Sequence, residues 1–130
     1  MATELVQLLL AVLLAFAHFA VYGVVANIQL GVTYTAGPRD EPPKGLSTNA
    51  HRLKRSYENY LETLPWFAIA VVVANLSGKA DQTVHAYAWI YLAARIIYVP
   101  AYIVDIPYTR SAVWSVATLM ILLITIHGLL

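Results

Sequence analysis

The feature that most constrains this chain is a long stretch without charge, since residues 5–38 carry no charged side chain. The first part of the stretch is rich in Leu, Val, Ala and Phe. A hydrocarbon core of ~30 Å requires about 20 helical residues, and lipid cannot satisfy the backbone of open strands. We therefore interpret this stretch and three later apolar segments as membrane helices. The predicted spans are about 5–27, 52–76, 82–105 and 109–130.

Composition excludes most other classes of protein. Hydrophobic residues make up 60% of the chain and charged residues 12%, and the mean hydropathy is +0.66. Soluble domains are usually about 45–50% apolar and about 25% charged, so a soluble protein, a disordered chain and a coiled coil are all disfavoured. A signal peptide is also disfavoured, because no basic segment precedes the first apolar run and the run is too long.

The predicted fold class is all-α, a single domain over residues 1–130 that forms an integral membrane four-helix bundle. Short loops between spans force neighbouring helices to run antiparallel, which gives an up-down topology. The net charge of +1 argues against a nucleic-acid partner. The absence of cysteine excludes disulfides and thiolate metal ligands. The four histidines are scattered over different elements, so no metal site is expected.

Basic residues in the loops predict the orientation. Arg39, Lys44, Arg52, Lys54 and Arg55 precede or open the second span, whereas the connection between the second and third spans carries only Lys79. Cytoplasmic loops carry the excess of Lys and Arg. The first and third connections are therefore expected to face the cytoplasm, with both termini outside.

A polar stripe opens the second span. Arg55, Asn59 and Glu62 fall within about 60° of one helix face, and Arg52 lies on its flank. Long basic side chains at a helix start often have no role beyond extending to place their charge in the membrane interface. Glu62 fits that explanation poorly, because it is short and lies well inside the helix. Ionisable groups within a membrane indicate function by default.

The third span carries a second stripe, about 80° wide. It consists of Tyr91, Arg95, Tyr98, Tyr102 and Asp105. An arginine at a helix centre costs ~2.5–3.5 kcal/mol to insert, so Arg95 must face protein or water. One alternative is a structural ion pair of Arg95 with Glu62 or Asp105 that locks two helices together.

Both stripes are expected to converge in the cytoplasmic leaflet, where Arg110 and Ser111 open the fourth span. Arginines outnumber carboxylates in this group. A cationic pocket in an apolar shell favours an anionic ligand beside a lipophilic one.

The spacing of these residues resembles the MAPEG family, the membrane-associated proteins in eicosanoid and glutathione metabolism. The family pattern Arg-x-x-x-Asn-x-x-Glu occurs here at residues 55–62, and Ala-Arg-x-x-Tyr-x-x-x-Tyr occurs at residues 94–102. An Arg-Ser pair opens the last span. The sequence Gly-Pro-Arg-Asp-Glu-Pro at residues 37–42 looks like the prokaryotic members.

The resemblance implies a homotrimer that binds glutathione between neighbouring subunits near the cytoplasmic face. It implies six glutathione-contacting residues: Arg55, Asn59, Glu62, Arg95, Tyr98 and Tyr102. Arg52 is added to this set because it lies at the rim of the pocket. Arg110, with Ser111 beside it, looks like the arginine that stabilises the thiolate in the leukotriene and prostaglandin synthase branches. The expected location is a bacterial inner membrane.

Two functions follow from the resemblance. The first is a glutathione-dependent transferase or peroxidase that acts on lipophilic electrophiles, with glutathione as co-substrate and no metal. The second is a non-catalytic protein that binds lipid or a partner. The family's eicosanoid branches carry a basic residue late in span one, where this chain has Asn27 and Gln29, and a histidine common in the span-two motif is Tyr57 here. These departures weaken a specific eicosanoid assignment.

Overall fold

The computed structural model describes residues Met1–Leu130 and contains five helices and no strand. The helices are α1 (Thr3–Leu30), α2 (Val32–Thr35), α3 (Thr48–Leu76), α4 (Gln82–Val104) and α5 (Thr109–Leu129). All except the short α2 are long and apolar enough to cross a membrane. The prediction of an all-helical, multi-pass integral membrane protein is confirmed. The sequence reasoning did not anticipate α2.

Contacts between helix ends establish the up-and-down order of the bundle. Each contact joins the start of one helix to the end of another: Glu4 Oε1 with Asn75 Nδ2 at 2.6 Å, Arg52 Nη1 with the Ile103 carbonyl at 2.8 Å, and Asp81 Oδ2 with His127 Nε2 at 2.9 Å. Long helices that are consecutive in the chain therefore run antiparallel.

The interior of the bundle combines aromatic side chains with alanines. Phe67 of α3 stacks on Tyr91 of α4 with ring centroids 4.1 Å apart, and the hydroxyl of Tyr60 donates to the Ala11 carbonyl at 2.5 Å. In lipid the hydrophobic effect does not drive helices together, so their association depends on close packing, which small residues permit. Many large apolar side chains instead face outwards, as a lipid environment requires.

Two local features place the polar stripes. The Ser47 hydroxyl accepts from the Ala50 N–H and starts α3 at Thr48, ahead of the predicted residue 52. At the other helix boundary, Asp105 and Tyr108 adopt left-handed backbone conformations, with φ of 57° and 65°. This tight turn ends α4 and brings the first residues of α5 beside the last turns of α4.

Candidate functional site

A cavity of about 300 Å³ lies between the first half of α3, the last two turns of α4 and the start of α5. Its wall consists of Asn59, Tyr98, Arg110, Ser111, Trp114 and Ser115. Four of these residues belong to the site predicted from sequence. Trp114 and Ser115 do not, although their spacing of three and four residues from Ser111 places them on the same helix face. The volume lies at the lower end of the range for small-molecule pockets, about 300–1,000 Å³.

Two arginines converge on one tyrosine beside the cavity. The Cζ atom of Arg110 lies 4.6 Å from the centroid of the Tyr102 ring, and that of Arg55 lies 5.9 Å from it. Tyr98 meets the same ring edge-on at 5.6 Å. Neither arginine forms an ion pair with a carboxylate. Aromatic faces hold a guanidinium without neutralising it, so both charges remain available to an anion.

Arg95 lies behind the cavity wall. Its side chain is fully buried, at 0% exposure, and Nη2 donates to Asn59 Oδ1 at 3.0 Å. The guanidinium also lies 4.2 Å from the Tyr98 ring centroid and 5.4 Å from that of Tyr60. Tyr60 was not predicted as part of this cluster, although it adjoins Asn59 in sequence.

The structural ion pair considered for Arg95 is not formed. No carboxylate lies within 4.0 Å of its guanidinium. Asp105 pairs instead with Arg52 at 3.5 Å, and Glu62 forms no ion pair. Arg95 is therefore a buried cation held by one amide oxygen and two aromatic rings.

The structure does not place Arg52 and Glu62 in the wall of the cavity. Arg52 donates to the carbonyl of Ile103 and so binds the carboxyl end of α4, where a cation interacts favourably with the helix dipole. Glu62 is exposed on α3. Of the predicted site residues, Asn59, Tyr98, Arg110 and Ser111 line the cavity. Arg95 and Tyr102 contact its wall, and Arg55 contacts Tyr102.

An apolar groove of about 510 Å³ continues along the same side of the bundle, between α3 and α5. Trp66, Ile69 and Val73 form one wall, and Thr118, Leu122 and Leu129 belong to the other. The α5 residues that line the cavity are followed by those that line the groove, mostly at spacings of three and four. These spacings place them on one side of the helix. A polar, cationic end and an apolar channel therefore share one face of the protein.

The fold and the site together define a class: a multi-pass membrane four-helix bundle with a cationic, tyrosine-lined cavity at one end. A sequence model of the MAPEG family matches residues 7–130, nearly the whole chain, and the chain belongs to this family. Its members include glutathione transferases and peroxidases as well as non-catalytic proteins. Neither a curated protein nor a solved structure matches the chain.

Proposed function

We propose that this protein is a membrane-bound glutathione-dependent transferase or peroxidase acting on lipophilic electrophiles. The observation that carries the proposal is the cavity in which Arg110 and Ser111 of α5 meet Asn59 of α3 and Tyr98 of α4. These residues come from three separate parts of the sequence.

Glutathione suits the charges around this cavity. It carries two carboxylates, which arginine forks bind with paired hydrogen bonds, and one ammonium group. Arg55 has no carboxylate partner within the protein and is exposed. In the proposal Arg55, Asn59, Tyr98 and Tyr102 bind the tripeptide. Glu62, exposed on the same helix face, receives the ammonium.

Arg110 is the proposed stabiliser of the thiolate. A free thiol of this kind has a pKa of about 8.5, and a nearby cation lowers it. In the transferase reaction the sulfur forms a bond to an electrophilic carbon, and the leaving group departs with its electron pair. In the peroxidase reaction two glutathione molecules reduce one hydroperoxide to an alcohol and water and become a disulfide. Ser111 lies next to Arg110 in the cavity wall and is the proposed second polar group at the sulfur.

The apolar groove between α3 and α5 supports a lipophilic co-substrate from the bilayer. It begins one turn beyond the cavity on α5 and contains mostly apolar side chains. A membrane lipid or lipophilic electrophile lying in the groove would present its polar end towards Arg110.

Assembly as a homotrimer is part of the proposal. Arg110, Ser111, Trp114 and Ser115 are all exposed on the outer side of a single chain. Glutathione bound between subunits would cover these residues. We further propose a bacterial inner membrane as the location, with both termini outside the cytoplasm.

A non-catalytic lipid- or partner-binding role is the second candidate, and one observation favours it. Asn27 and Gln29 occupy the region where eicosanoid-metabolising relatives carry a base. Here Asn27 binds the hydroxyl of Thr35, while Gln29 binds Ser47 through both its amide nitrogen and its oxygen. These side chains join α1 to α2 and to the start of α3, so their polar groups are engaged within the protein.

Calorimetric titration of the purified protein in detergent with glutathione distinguishes the two candidates. The proposal expects saturable binding that Arg55→Ala weakens, together with conjugation of a small test electrophile. Arg39→Ala is the matched control, because Arg39 lies in the exposed loop and bonds only to the Thr35 carbonyl. Binding without conjugation would favour the non-catalytic role, and no binding would contradict a glutathione protein altogether.

A further inference from the structure

The contact between Arg95 and Asn59 fixes which way the amide of Asn59 points. A guanidinium has five donors and no acceptor, so the atom of Asn59 that meets Arg95 Nη2 at 3.0 Å must be the oxygen Oδ1. The amide nitrogen Nδ2 then points away from Arg95. It makes no hydrogen bond within the protein, and Asn59 lines the cavity.

We propose that Arg95 is a positioning residue that holds Asn59 as a hydrogen-bond donor toward the ligand, and that Arg95 itself does not touch the ligand. This inference rests on the proposed function, which supplies glutathione as the ligand. The orientation of the Asn59 amide also determines which ligand groups residue 59 can bind. Asn59 recognises an acceptor, a carboxylate or peptide carbonyl of glutathione, and rejects a donor.

Burial supports the indirect role of Arg95. The side chain is completely inaccessible, and the Nε and Nη1 atoms are buried without a partner. The groups between Arg95 and the cavity are Asn59 and Tyr98, and Arg95 contacts both of them. Arg95 therefore acts on a bound molecule only through its neighbours, and Asn59 is the one to which it donates a hydrogen bond.

The Asn59→Asp variant separates positioning from general structural support. A carboxylate at residue 59 gives the buried Arg95 the counterion that it lacks, so thermal stability in detergent is expected to rise. The same change removes the donor and places a negative charge before an anionic ligand. Glutathione affinity is expected to fall about 10- to 100-fold, the range for a lost hydrogen bond to a charged group. Unchanged or lower stability, or full glutathione affinity, in this variant would overturn the inference.

A double-mutant cycle tests whether Arg95 acts through Asn59. Arg95→Leu and Asn59→Ala are each expected to weaken glutathione binding about 10-fold, and the double variant is expected to be no weaker than Asn59→Ala alone. Arg55→Leu is the matched control, because a direct ligand contact should add its own loss in the Asn59→Ala background. A further loss from Arg95→Leu in that background would show that Arg95 acts on the ligand by a route other than Asn59, either directly or through Tyr98, and would overturn the inference. If Arg95→Leu does not fold, the thermal stability and glutathione affinity of Asn59→Asp, compared with the wild type, test the inference instead.

The failure of this inference differs from the failure of the proposed function. A wild-type protein that does not bind glutathione contradicts the proposed function. The stability of Asn59→Asp still reports on the contact between residues 59 and 95, and an unchanged or lower melting temperature then overturns the positioning role by itself.

Discussion

The guanidinium of Arg110 lies over the ring of Tyr102, with its Cζ atom 4.6 Å from the ring centroid, across the turn that joins α4 to α5. The left-handed residues Asp105 and Tyr108 make this turn tight enough for the two side chains to meet. Because the partner is an aromatic face and not a carboxylate, Arg110 is held in place with its charge uncompensated. An arginine in this state can stabilise a thiolate.

Replacing Arg110 tests that role directly. Arg110→Ala is expected to lower turnover with a test electrophile by about 10²–10³, the range for losing one electrostatic stabiliser, while glutathione affinity changes little. Steady-state conjugation rates and calorimetric affinity measured on the same preparation check both parts. Arg110→Lys, which keeps the charge, should retain more activity than Arg110→Ala. Full turnover in Arg110→Ala would transfer the thiolate role to a tyrosine such as Tyr98 or Tyr102.

Arg52 is expected to contribute to stability more than to ligand binding. Its guanidinium donates to the Ile103 carbonyl at 2.8 Å and meets Asp105 at 3.5 Å. Arg52→Ala should lower the free energy of unfolding by about 0.5–1.5 kcal/mol, the usual value of one hydrogen bond, and should weaken glutathione binding less than Arg55→Ala does. Asp105→Asn is the control with a smaller expected cost, because exposed ion pairs contribute little. A larger effect on glutathione affinity than on stability would place Arg52 in the binding site after all.

The Asp81 carboxylate makes stability sensitive to acid at the opposite end of the bundle. Hydrogen bonds from the backbone N–H of Val84 and from His127 lower its pKa below the ordinary value of 3.8. Because the pKa is lower in the folded than in the unfolded chain, the stabilisation is complete above 3.8 and is lost as the pH falls through the folded-state value. Asp81→Asn keeps a side chain that caps α4 but cannot titrate. Its melting temperature should therefore fall less than that of the wild type on acidification, and an equal fall would contradict the assignment.

The apolar runs were sufficient to predict the four long helices, and the spacing of the polar residues predicted which of them share a face. The four-residue spacing placed Tyr98 and Tyr102 together on α4, and the fourth apolar run located α5. Periodicity does not determine which neighbouring helix meets a given side chain. The partner of Arg95 was therefore sought among the carboxylates Glu62 and Asp105, whereas the structure gives it the neutral Asn59.

Helix boundaries explain the other differences. The sequence prediction began the second span at about residue 52, and it placed Arg52 at the rim of the pocket because Arg52 lies on the flank of the polar stripe. The Ser47 cap starts α3 earlier, at Thr48, and Arg52 lies level with the end of α4, where carbonyl groups lack helical partners. Trp114 was overlooked because an aromatic residue in a membrane span is ordinary; only its place beside Ser111 on the helix face would have indicated a role.

The orientation in the membrane is a separate prediction. Basic residues concentrate in the connection between the first two spans, and the opposite side carries Lys79. A green fluorescent reporter fused after Leu130 should remain dark, since it matures in the cytoplasm and the carboxyl terminus is expected outside. A fusion placed in the loop near Gly45 should fluoresce. The reverse pattern would place the cavity on the outer side of the membrane.

The ultraviolet absorbance of the glutathione thiolate on the purified wild-type protein at neutral pH tests the proposed chemistry most directly. Free glutathione, with a thiol pKa of about 8.5, is mostly protonated there. We expect a saturable rise in thiolate absorbance on mixing, which Arg110→Ala abolishes without preventing glutathione from binding. Glutathione that binds without any thiolate signal in the wild type would contradict the proposed chemistry and leave the non-catalytic role in its place.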